Sequence, residues 1–417
     1  MAKGNCLVAQ SGGPTAVINA SACGVIQEAL RSQEIGEVYA ANHGVEGILN
    51  EELFSLRDED PEEIELMRRT PASALGTCRY KVKKEEDFER ILRVFEAHDI
   101  RYFFYIGGND SMDTTNKVGK YARDHGYELK VIGVPKTIDN DLPETDHCPG
   151  FGSVAKYLAT SIREAFLDLT AYNYPMVKLV EVMGRGAGWI AASSALAAGE
   201  GFETPDLIYL PEIPFSLEQL IHDAKAVMAR KQQALIVISE GIKTADGKFV
   251  IESHLSAGPT DAFGHVQLGG VGDFLTGVLR EEVCKKVRFN NFGSFQRCAL
   301  HFASKTDSDE AYLAGQMAVR YALEGNTGKM VAFDCTRNPY KCSIKLVELD
   351  KVANLEKLIP RSWINAAGNH VNEECLDYLR PLVEGEVIPM VVNGIPRFTR
   401  FKKNLIPKKL DRTLIKG

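Results

Sequence analysis

Short apolar runs alternate with helical patterns along the first 140 residues. The apolar runs predict buried strands at 6–10, 102–106 and 130–134. Apolar residues at helical spacing predict helices between Ile18 and Leu30, at 85–98 and at about 111–125. Strands and helices that alternate at this spacing indicate βαβ units built around a parallel sheet.

The alternation resumes after Gly150. Predicted helices lie at 153–169, after Gly186, at 217–231 and around 310–323. Predicted strands lie at 177–183, 234–239 and 330–333. We therefore expect an α/β fold of two Rossmann-like units with mainly parallel sheets, with an active site in the cleft between them.

The same pattern suggests how the chain is divided. Residues 1–150 together with about 297–340 should form the first unit, and residues 151–296 the second. Residues 341–417 are more irregular and should form an extension that packs on the core. The basic residues near its end, Lys402, Lys403, Lys408 and Lys409, are expected to be a solvated tail.

Composition and charge narrow the class of protein. Of the 417 residues, 45% are hydrophobic and 25% charged, as in an ordinary globular protein. With 49 basic and 56 acidic residues, a formal charge of −7 gives no general attraction to nucleic acid or to anionic membranes. The chain has no apolar run near the length of a membrane helix and no visible secretory signal, so a cytoplasmic protein is expected. Its nine cysteines lack metal-site spacing and are expected to be reduced, structural thiols rather than metal or redox groups.

Three loops at predicted strand ends carry candidate chemistry. They are Ser11-Gly12-Gly13, Gly107-Gly108-Asn109-Asp110-Ser111 and the loop 135–141, which reads PKTIDND. Glycines at strand-to-helix turns let backbone N–H groups approach a phosphate, and oxygen ligands suit Mg²⁺. Each loop alone also fits a tight turn or a helix cap. Because the carboxyl ends of parallel strands meet at one sheet edge, the three together predict a site for an anionic ligand.

The motifs in their order along the chain resemble the 6-phosphofructokinase family, from about residue 5 to about residue 340. The resemblance is carried by Gly12-Gly13, the loops 107–111 and 135–141, Met183-Gly184-Arg185, Glu240-Gly241 and the stretch 292–297, FGSFQR. It implies transfer of a phosphoryl group to the 1-hydroxyl of fructose 6-phosphate. The reaction would be readily reversible if pyrophosphate is the donor.

Two positions indicate which donor is used. ATP-using members of the family usually have glycine at the positions of Asp110 and Lys136, whereas pyrophosphate-using members have Asp and Lys there. The Asp110 carboxylate would repel the α-phosphate of ATP. Two unit charges 4 Å apart cost about 4 kcal/mol at an effective dielectric of about 20, or roughly a thousandfold. Pyrophosphate lacks the third phosphate, and Lys136 can stabilise its charge.

The resemblance also implies roles for individual residues. The predicted catalytic residues are Asp139, which would act as general base, Lys136 and Asp110. The predicted donor-binding residues are Gly12, Gly13, Arg79, Gly108 and Ser111. The metal would be Mg²⁺, with Asn109 and Asp141 as candidate ligands.

A larger set is predicted to bind the sugar phosphate: Thr137, Ile138, Asp139, Met183, Gly184, Arg185, Glu240, Arg288, Ser294, Gln296, Arg297 and Lys178. Two positions depart from the family pattern. Met176 replaces an arginine that reaches the neighbouring subunit's site in the family, and nearby Lys178 is a candidate replacement for its charge. Ser294 replaces a residue that is usually His or Tyr. The resemblance implies a homo-oligomer, a dimer or a tetramer.

Three alternatives stay open. An ATP-dependent kinase of the same fold is one, and a non-catalytic regulatory subunit is another. The presence of Asp139, Lys136 and Arg185 argues against the latter. A dinucleotide-binding oxidoreductase is the third, but the first loop lacks its G-x-G-x-x-G pattern.

Overall fold

A computed structural model describes residues 3–254 and 270–411. Its strands are β1 (Gly4–Gln10), β2 (Ile35–Ala41), β3 (Leu53–Ser55), β4 (Ile100–Gly107), β5 (Lys130–Pro135), β6 (Met176–Val182), β7 (Leu207–Tyr209), β8 (Gln233–Ser239), β9 (Val287–Asn291), β10 (Lys329–Thr336), β11 (Lys341–Glu348), β12 (Val391–Val392) and β13 (Ile395–Pro396). Its helices are α1 (Ile18–Arg31), α2 (Gly44–Leu49), α3 (Pro61–Leu66), α4 (Glu85–Ala97), α5 (Asn109–Asp124), α6 (Phe151–Thr170), α7 (Trp189–Ser193), α8 (Leu217–Lys231), α9 (Val250–His254), α10 (Val271–Glu282), α11 (Phe295–Cys298), α12 (Lys305–Leu323) and α13 (Glu373–Leu379).

The first sheet has the strand order β11-β10-β5-β4-β1-β2-β3. Its five central strands are parallel, and antiparallel strands close both edges. Successive residues of β1 face opposite sides of the sheet. Cys6 and Val8 pack with α1 and α12 on one side, and Leu7 and Ala9 pack with α4 on the other. Burial on both faces explains why β1 is a continuous apolar run.

The second sheet is smaller and fully parallel, with the order β7-β8-β6-β9. Helices α6 and α7 cover one face, and helices α8 and α10 cover the other. The predicted α/β class with mainly parallel sheets is therefore confirmed. The carboxyl ends of β6 and β8 lead into Met183 and Glu240, while those of β1, β4 and β5 lead into the three glycine- and aspartate-containing loops.

Most predicted elements agree with the structure to within three residues, but α12 begins earlier than expected, at Lys305. The Ser304 hydroxyl caps this helix by accepting a hydrogen bond from the Asp307 N–H at 3.3 Å. Strand β11 pairs with β10 along its whole length. The first sheet therefore continues past residue 340, into the part of the chain predicted to be an extension.

The basic tail is solvent-exposed at Lys402, Lys408 and Lys409, as predicted, but its backbone is also bound to the first unit. The backbone N–H groups of Lys402 and Lys403 each donate to the Glu59 carboxylate at 2.8 Å. The Lys409 N–H donates to buried Glu51 at 2.6 Å, and the Lys408 ammonium donates to a backbone carbonyl. Carboxylates of the first unit thus supply partners for the backbone of the tail, and this overrides the mutual repulsion of its lysines.

Two further observations concern the class of protein. Among the residues that the structure describes, no helix is long and apolar enough to cross a membrane. All nine cysteines are free thiols, and five of them are buried.

Candidate active site

Three cationic side chains converge on the glycine pair that follows β1. Gly12 has a φ of +78°, and a Cβ there would lie 3.0 Å from the Lys136 ammonium nitrogen. A Cβ at Gly13 would lie 3.2 Å from Arg297 Nη1 and 3.8 Å from Arg79 Nη2. A side chain at either glycine would crowd these cationic groups, and together they form a compact positive site suited to a small polyanion.

Lys136 follows β5 directly and is buried, with 4% of its surface exposed. Its backbone N–H donates to the Gly107 carbonyl at 2.9 Å, which joins the second and third loops. Burial, together with the charges of the nearby Arg79 and Arg297, lowers the pKa of the Lys136 ammonium to about 8, against the opposing effect of Asp139. A bound anion would offset this repulsion among buried cations.

Arg297 was predicted on the sugar-phosphate side, but its guanidinium reaches the donor loop. Its Nε atom is buried and has no hydrogen-bond partner among the described residues. An unpaired buried N–H is costly, so this atom is well suited to a ligand oxygen.

The second loop begins α5 and carries Asp110. The Asp110 Oδ1 atom lies 2.6 Å from the Lys81 ammonium, and both side chains are about one quarter exposed. Ser111 packs against Gly107, where a Cβ would lie 2.1 Å from its hydroxyl oxygen, and Gly108 lies close to the Lys136 carbonyl. Sequence analysis missed Lys81, although it stands only two residues after Arg79.

Asn109 has a structural role in this arrangement. Its side-chain amide donates to the Leu355 carbonyl, and its side-chain oxygen accepts from the Asn354 N–H. These bonds hold the chain that follows β11 against the start of α5. The metal-ligand role predicted for Asn109 would compete with them.

The third loop brings two half-buried carboxylates together, those of Asp139 and Asp141. The Asp139 N–H donates to the Thr137 hydroxyl at 3.1 Å, and Asn140 between the two acids adopts a φ of +54°. The Asn140 side chain accepts from the Cys148 N–H at 2.9 Å and donates to the Tyr378 hydroxyl at 2.8 Å. These bonds fix the loop backbone from within, so its orientation is set before any ligand binds.

Burial, together with the negative charges of Asp141 and Glu240, raises the pKa of Asp139 to about 7. Lys136 and Arg185 act in the opposite direction. Asp139 is therefore influenced by groups from both units, which fits the predicted position in a cleft between them. A carboxylate with a pKa near neutrality is suited to proton transfer at physiological pH.

Asp141 offers a buried oxygen that fits a divalent cation. Its Oδ1 atom has no hydrogen-bond partner among the described residues, and its pKa is raised, first by burial and then by Glu356. The Glu356 carboxylate lies beside Gly186, where a Cβ would be 2.8 Å from both of its oxygens, and its charge acts on Asp141. Two neighbouring carboxylates are the hard oxygen ligands that Mg²⁺ prefers. Sequence analysis missed Glu356, which lies beyond the matched motifs.

The second sheet contributes the opposite wall. The Met183 N–H donates to the Gln296 side chain at 3.1 Å, and Arg185 Nε lies 3.6 Å from Glu240 Oε1. Burial raises the pKa of Glu240, while Arg185 opposes the shift. At Gly241 a Cβ would clash with the Arg185 carbonyl at 2.2 Å, so glycine allows the two loops to pack.

The remaining predicted residues in these loops are located as follows. Gly184 has a φ of +120° and its carbonyl accepts from the Ser239 hydroxyl. Ser294 precedes α11 but makes no side-chain cap. Ile138 is buried and packs into the apolar core of the second unit, so only its backbone faces the loop's neighbours.

Lys178 and Arg288 do not join this cluster within one chain. They are paired in register on β6 and β9, and both contact Asp168 of α6. Lys178 also donates to the Ala165 carbonyl at 2.9 Å. Five residues separate Lys178 from Met183, about 16 Å along a strand. Within one chain, Lys178 and Arg288 therefore lie apart from the loop that carries Arg185, because both residues lie near the beginnings of their strands.

This fold and the sites at its strand ends define a sugar-phosphate kinase of the phosphofructokinase type. The phosphofructokinase family model matches residues 5–322, and the chain belongs to this family.

Individual relatives extend the match beyond that region. The chain is 47% identical to the pyrophosphate–fructose 6-phosphate 1-phosphotransferase of Halomonas elongata, over 98% of this chain and 99% of that protein. It is 44% identical to the protein of the same name from Methylococcus capsulatus, with the same coverage. The crystal structure of a pyrophosphate-dependent phosphofructokinase from Marinobacter aquaeolei has a TM-score of 0.90 and 41% identity, over 99% of each chain.

Proposed function

We propose that this protein transfers a phosphoryl group from pyrophosphate to the 1-hydroxyl of fructose 6-phosphate, giving fructose 1,6-bisphosphate and phosphate. The names of the relatives aligned over nearly the whole chain support this reaction. The observation that carries it is the pairing of a half-buried carboxylate, Asp139, with a cluster of three cations at Gly12-Gly13.

Asp139 serves as the general base. Its carboxylate accepts the proton of the sugar 1-hydroxyl as that oxygen attacks the phosphoryl group. Lys136, Arg79 and Arg297 neutralise the charge of the pyrophosphate and of the transferring group, a role that needs positioned cations more than covalent chemistry. The proposed reaction is readily reversible, because it exchanges the phosphoanhydride bond of pyrophosphate for a phosphate ester of the sugar and does not consume ATP.

Asp110 selects the donor. Asp110 lies in the first turn of α5 and forms an ion pair with Lys81. We infer that this pair occupies the space that the α-phosphate and nucleoside of ATP would need. The pairing reduces the free charge of Asp110, so exclusion of ATP rests on the space the pair fills as well as on repulsion. This supports pyrophosphate over ATP.

Mg²⁺ is the proposed metal, and Asp141 and Glu356 are the residues that would hold it. When bound, it would neutralise phosphate charge and orient the donor. The unpartnered Asp141 oxygen supports this choice. Asn109 is the weaker candidate because its amide already holds the Asn354–Leu355 backbone.

The sugar phosphate is proposed to lie between Thr137, Met183, Gly184, Arg185, Glu240 and Gln296, with Ser294 near its phosphate. Lys178 and its strand partner Arg288 lie about 16 Å from Met183, the residue that follows β6, by the rise of a strand. We propose that they act on the substrate of a second copy in a homo-oligomer. A cytoplasmic location stays a prediction.

The function is tested by comparing donors. Turnover of fructose 6-phosphate with pyrophosphate and with ATP should be measured with and without Mg²⁺. We expect pyrophosphate to support turnover at least tenfold better in kcat/KM, which corresponds to about 1.4 kcal/mol, with activity that depends on Mg²⁺. Faster turnover with ATP would contradict the donor, and no turnover with either would favour a regulatory subunit.

A further inference from the structure

Two cysteines face each other on the edge hairpin of the first sheet. Cys335 of β10 lies directly opposite Cys342 of β11, and each thiol shifts the pKa of the other. Directly opposed residues of an antiparallel pair have Cα atoms about 4.5 or 5.5 Å apart. Both values fall within the range of roughly 4.4–6.8 Å that disulfides use. Both side chains are partly exposed, and β11 is an edge strand, so a small oxidant can reach them.

The surroundings of Cys335 favour its thiolate. Buried His147 lies between two carboxylates, with its Nε2 atom 2.7 Å from Glu310 and its Nδ1 atom 3.0 Å from Asp146. These acids raise the pKa of His147 well above its ordinary value, so it carries positive charge. The Cys335 sulfur lies 3.9 Å from the same Nδ1 atom. The neighbouring Cys342 thiol and the His147 charge lower the pKa of the Cys335 thiol.

Cys342 differs in the way expected of a second, resolving thiol. Its pKa is raised by the neighbouring Cys335 thiol, by burial and by the Glu310 carboxylate. Glu310 is thus placed to accept a proton from Cys342, and it is oriented by the Tyr340 hydroxyl, which donates to it at 2.7 Å. One reactive thiolate and one protonated partner are the arrangement that thiol–disulfide exchange requires.

A metal site is the less favoured interpretation of the same side chains. Ligand atoms of Asp146, His147 and Cys335 lie within 4.8 Å of one another. However, the Asp146 carboxylate accepts two hydrogen bonds from Arg337, at 2.6 and 2.8 Å. A cation would have to displace this guanidinium and deprotonate a histidine held by two acids.

We propose that Cys335 and Cys342 are a reversible modification site that reacts with small disulfides of the oxidised glutathione class. The Cys335 thiolate attacks one sulfur of the oxidant and forms a mixed disulfide, releasing one thiolate. Cys342 then gives its proton to Glu310 and attacks the Cys335 sulfur, releasing the second thiolate. The protein loses two electrons and two protons, and the oxidant is reduced to two thiols.

This site is linked to the catalytic loop by direct hydrogen bonds. The Tyr378 hydroxyl donates to the Asp146 carbonyl at 2.7 Å and accepts from the Asn140 side chain at 2.8 Å. Asn140 stands between Asp139 and Asp141. Oxidation removes the negative charge of the Cys335 sulfur beside His147. We expect this to shift the 146–147 backbone and, through the Tyr378 hydroxyl and Asn140, to displace the catalytic loop and lower turnover.

The test is differential alkylation with peptide mass spectrometry after exposure of the full chain to oxidised glutathione. We expect a Cys335–Cys342 cross-linked peptide that dithiothreitol reverses. Cys342→Ser should instead retain glutathione on Cys335, and Cys335→Ser should prevent both products. Cys284 and Cys298, which are also partly exposed, are the matched controls and should still alkylate.

Two results would overturn the proposal. The first is that, in the wild type exposed to oxidised glutathione, Cys335 and Cys342 are alkylated as completely as Cys284 and Cys298. The other is glutathione retained on Cys342 when Cys335 is replaced. Activity provides a separate readout: oxidised wild type should lose turnover and regain it with dithiothreitol, whereas Cys335→Ser/Cys342→Ser should not respond. Full turnover by a cross-linked sample would contradict the link to the catalytic loop.

Discussion

The donor side and the sugar-phosphate side of this molecule differ in how completely one chain builds them. On the donor side, Lys136, Arg79 and Arg297 meet at Gly12-Gly13, although they come from three distant parts of the sequence. On the sugar side, the loops after β6 and β8 supply Met183, Arg185 and Glu240, but Lys178 and Arg288 lie at the other end of their strands.

The difference follows from topology. Donor residues leave the carboxyl ends of parallel strands, and these ends meet at one edge of a sheet. Lys178 and Arg288 lie near the beginnings of β6 and β9, where Asp168 of α6 binds both. The comparison fits the proposal that one chain supplies the catalytic and donor-binding residues. Binding of the sugar phosphate would then be shared with a second copy of the chain.

The largest effect is expected at Asp139, where the two sides meet. Asp139→Asn keeps the shape of the side chain but cannot accept the proton. We expect kcat to fall at least about 10²-fold, the usual scale for loss of a general base. Steady-state rates measure this, with Asp334→Asn as a control because Asp334 is an exposed acid of β10. A near-normal rate in Asp139→Asn would remove it from the base role.

Donor choice should change next most strongly. In Asp110→Gly/Lys136→Gly, the charge and bulk that disfavour ATP are gone, together with the cation that pyrophosphate uses. We expect the ratio of kcat/KM for ATP to that for pyrophosphate to rise at least tenfold, or about 1.4 kcal/mol. Asp350→Asn is a matched control, because it removes an ion pair with Lys120 elsewhere on α5. An unchanged ratio would refute the role of Asp110 and Lys136 in donor choice.

A smaller effect should separate the two sides. Lys178→Ala and Arg288→Ala should raise the KM for fructose 6-phosphate several-fold while the KM for pyrophosphate stays the same. A several-fold rise corresponds to about 1 kcal/mol, which is within the range that the loss of one hydrogen bond costs. The control is Arg163→Ala, which removes an arginine of α6 that donates to the Ala197 carbonyl. If the KM for the sugar is unaltered and sedimentation shows a monomer, substrate binding across subunits is wrong.

The smallest effect concerns stability. The folded-state pKa of Asp139 is about 7, above the ordinary 3.8. The folded state therefore binds the proton more tightly, and its stability falls as pH rises between these values. Asp139→Asn should accordingly raise the free energy of unfolding at pH 8 by about 1 kcal/mol or more, with a smaller gain at pH 5. Urea unfolding at both values measures this, and a variant less stable than the wild type at pH 8 would contradict the shift.

The sequence allowed much of the fold and of the donor side to be predicted. Strands such as β1 and β5 are buried on both faces and therefore stand out as apolar runs between glycines. The loops that follow them carry the motifs, and parallel topology alone is enough to bring these loops together. Strand β11 was missed because it is an edge strand whose alternating exposure resembles irregular chain.

Other parts of the site depend on contacts that local patterns do not encode. Glu356 reaches the site from the chain beyond β11, over 200 residues after Asp141, and no motif surrounds it. Lys81 lies in a stretch rich in lysine, where nothing distinguishes the one that pairs with Asp110. The attachment of the basic tail to the first unit was not predicted because its partners, Glu51 and Glu59, lie more than 300 residues earlier.

The central claim is that Asp139 and the neighbouring buried Lys136 set the chemistry, and the pH dependence of kcat/KM tests it most directly. Asp139 must be ionised and Lys136 protonated, so the account predicts a bell-shaped profile. Its acid limb should lie near pH 7 and its alkaline limb near pH 8. Lys136→Met should lose the alkaline limb while keeping the acid limb. A wild-type profile that is flat from pH 6 to pH 9 would contradict the account.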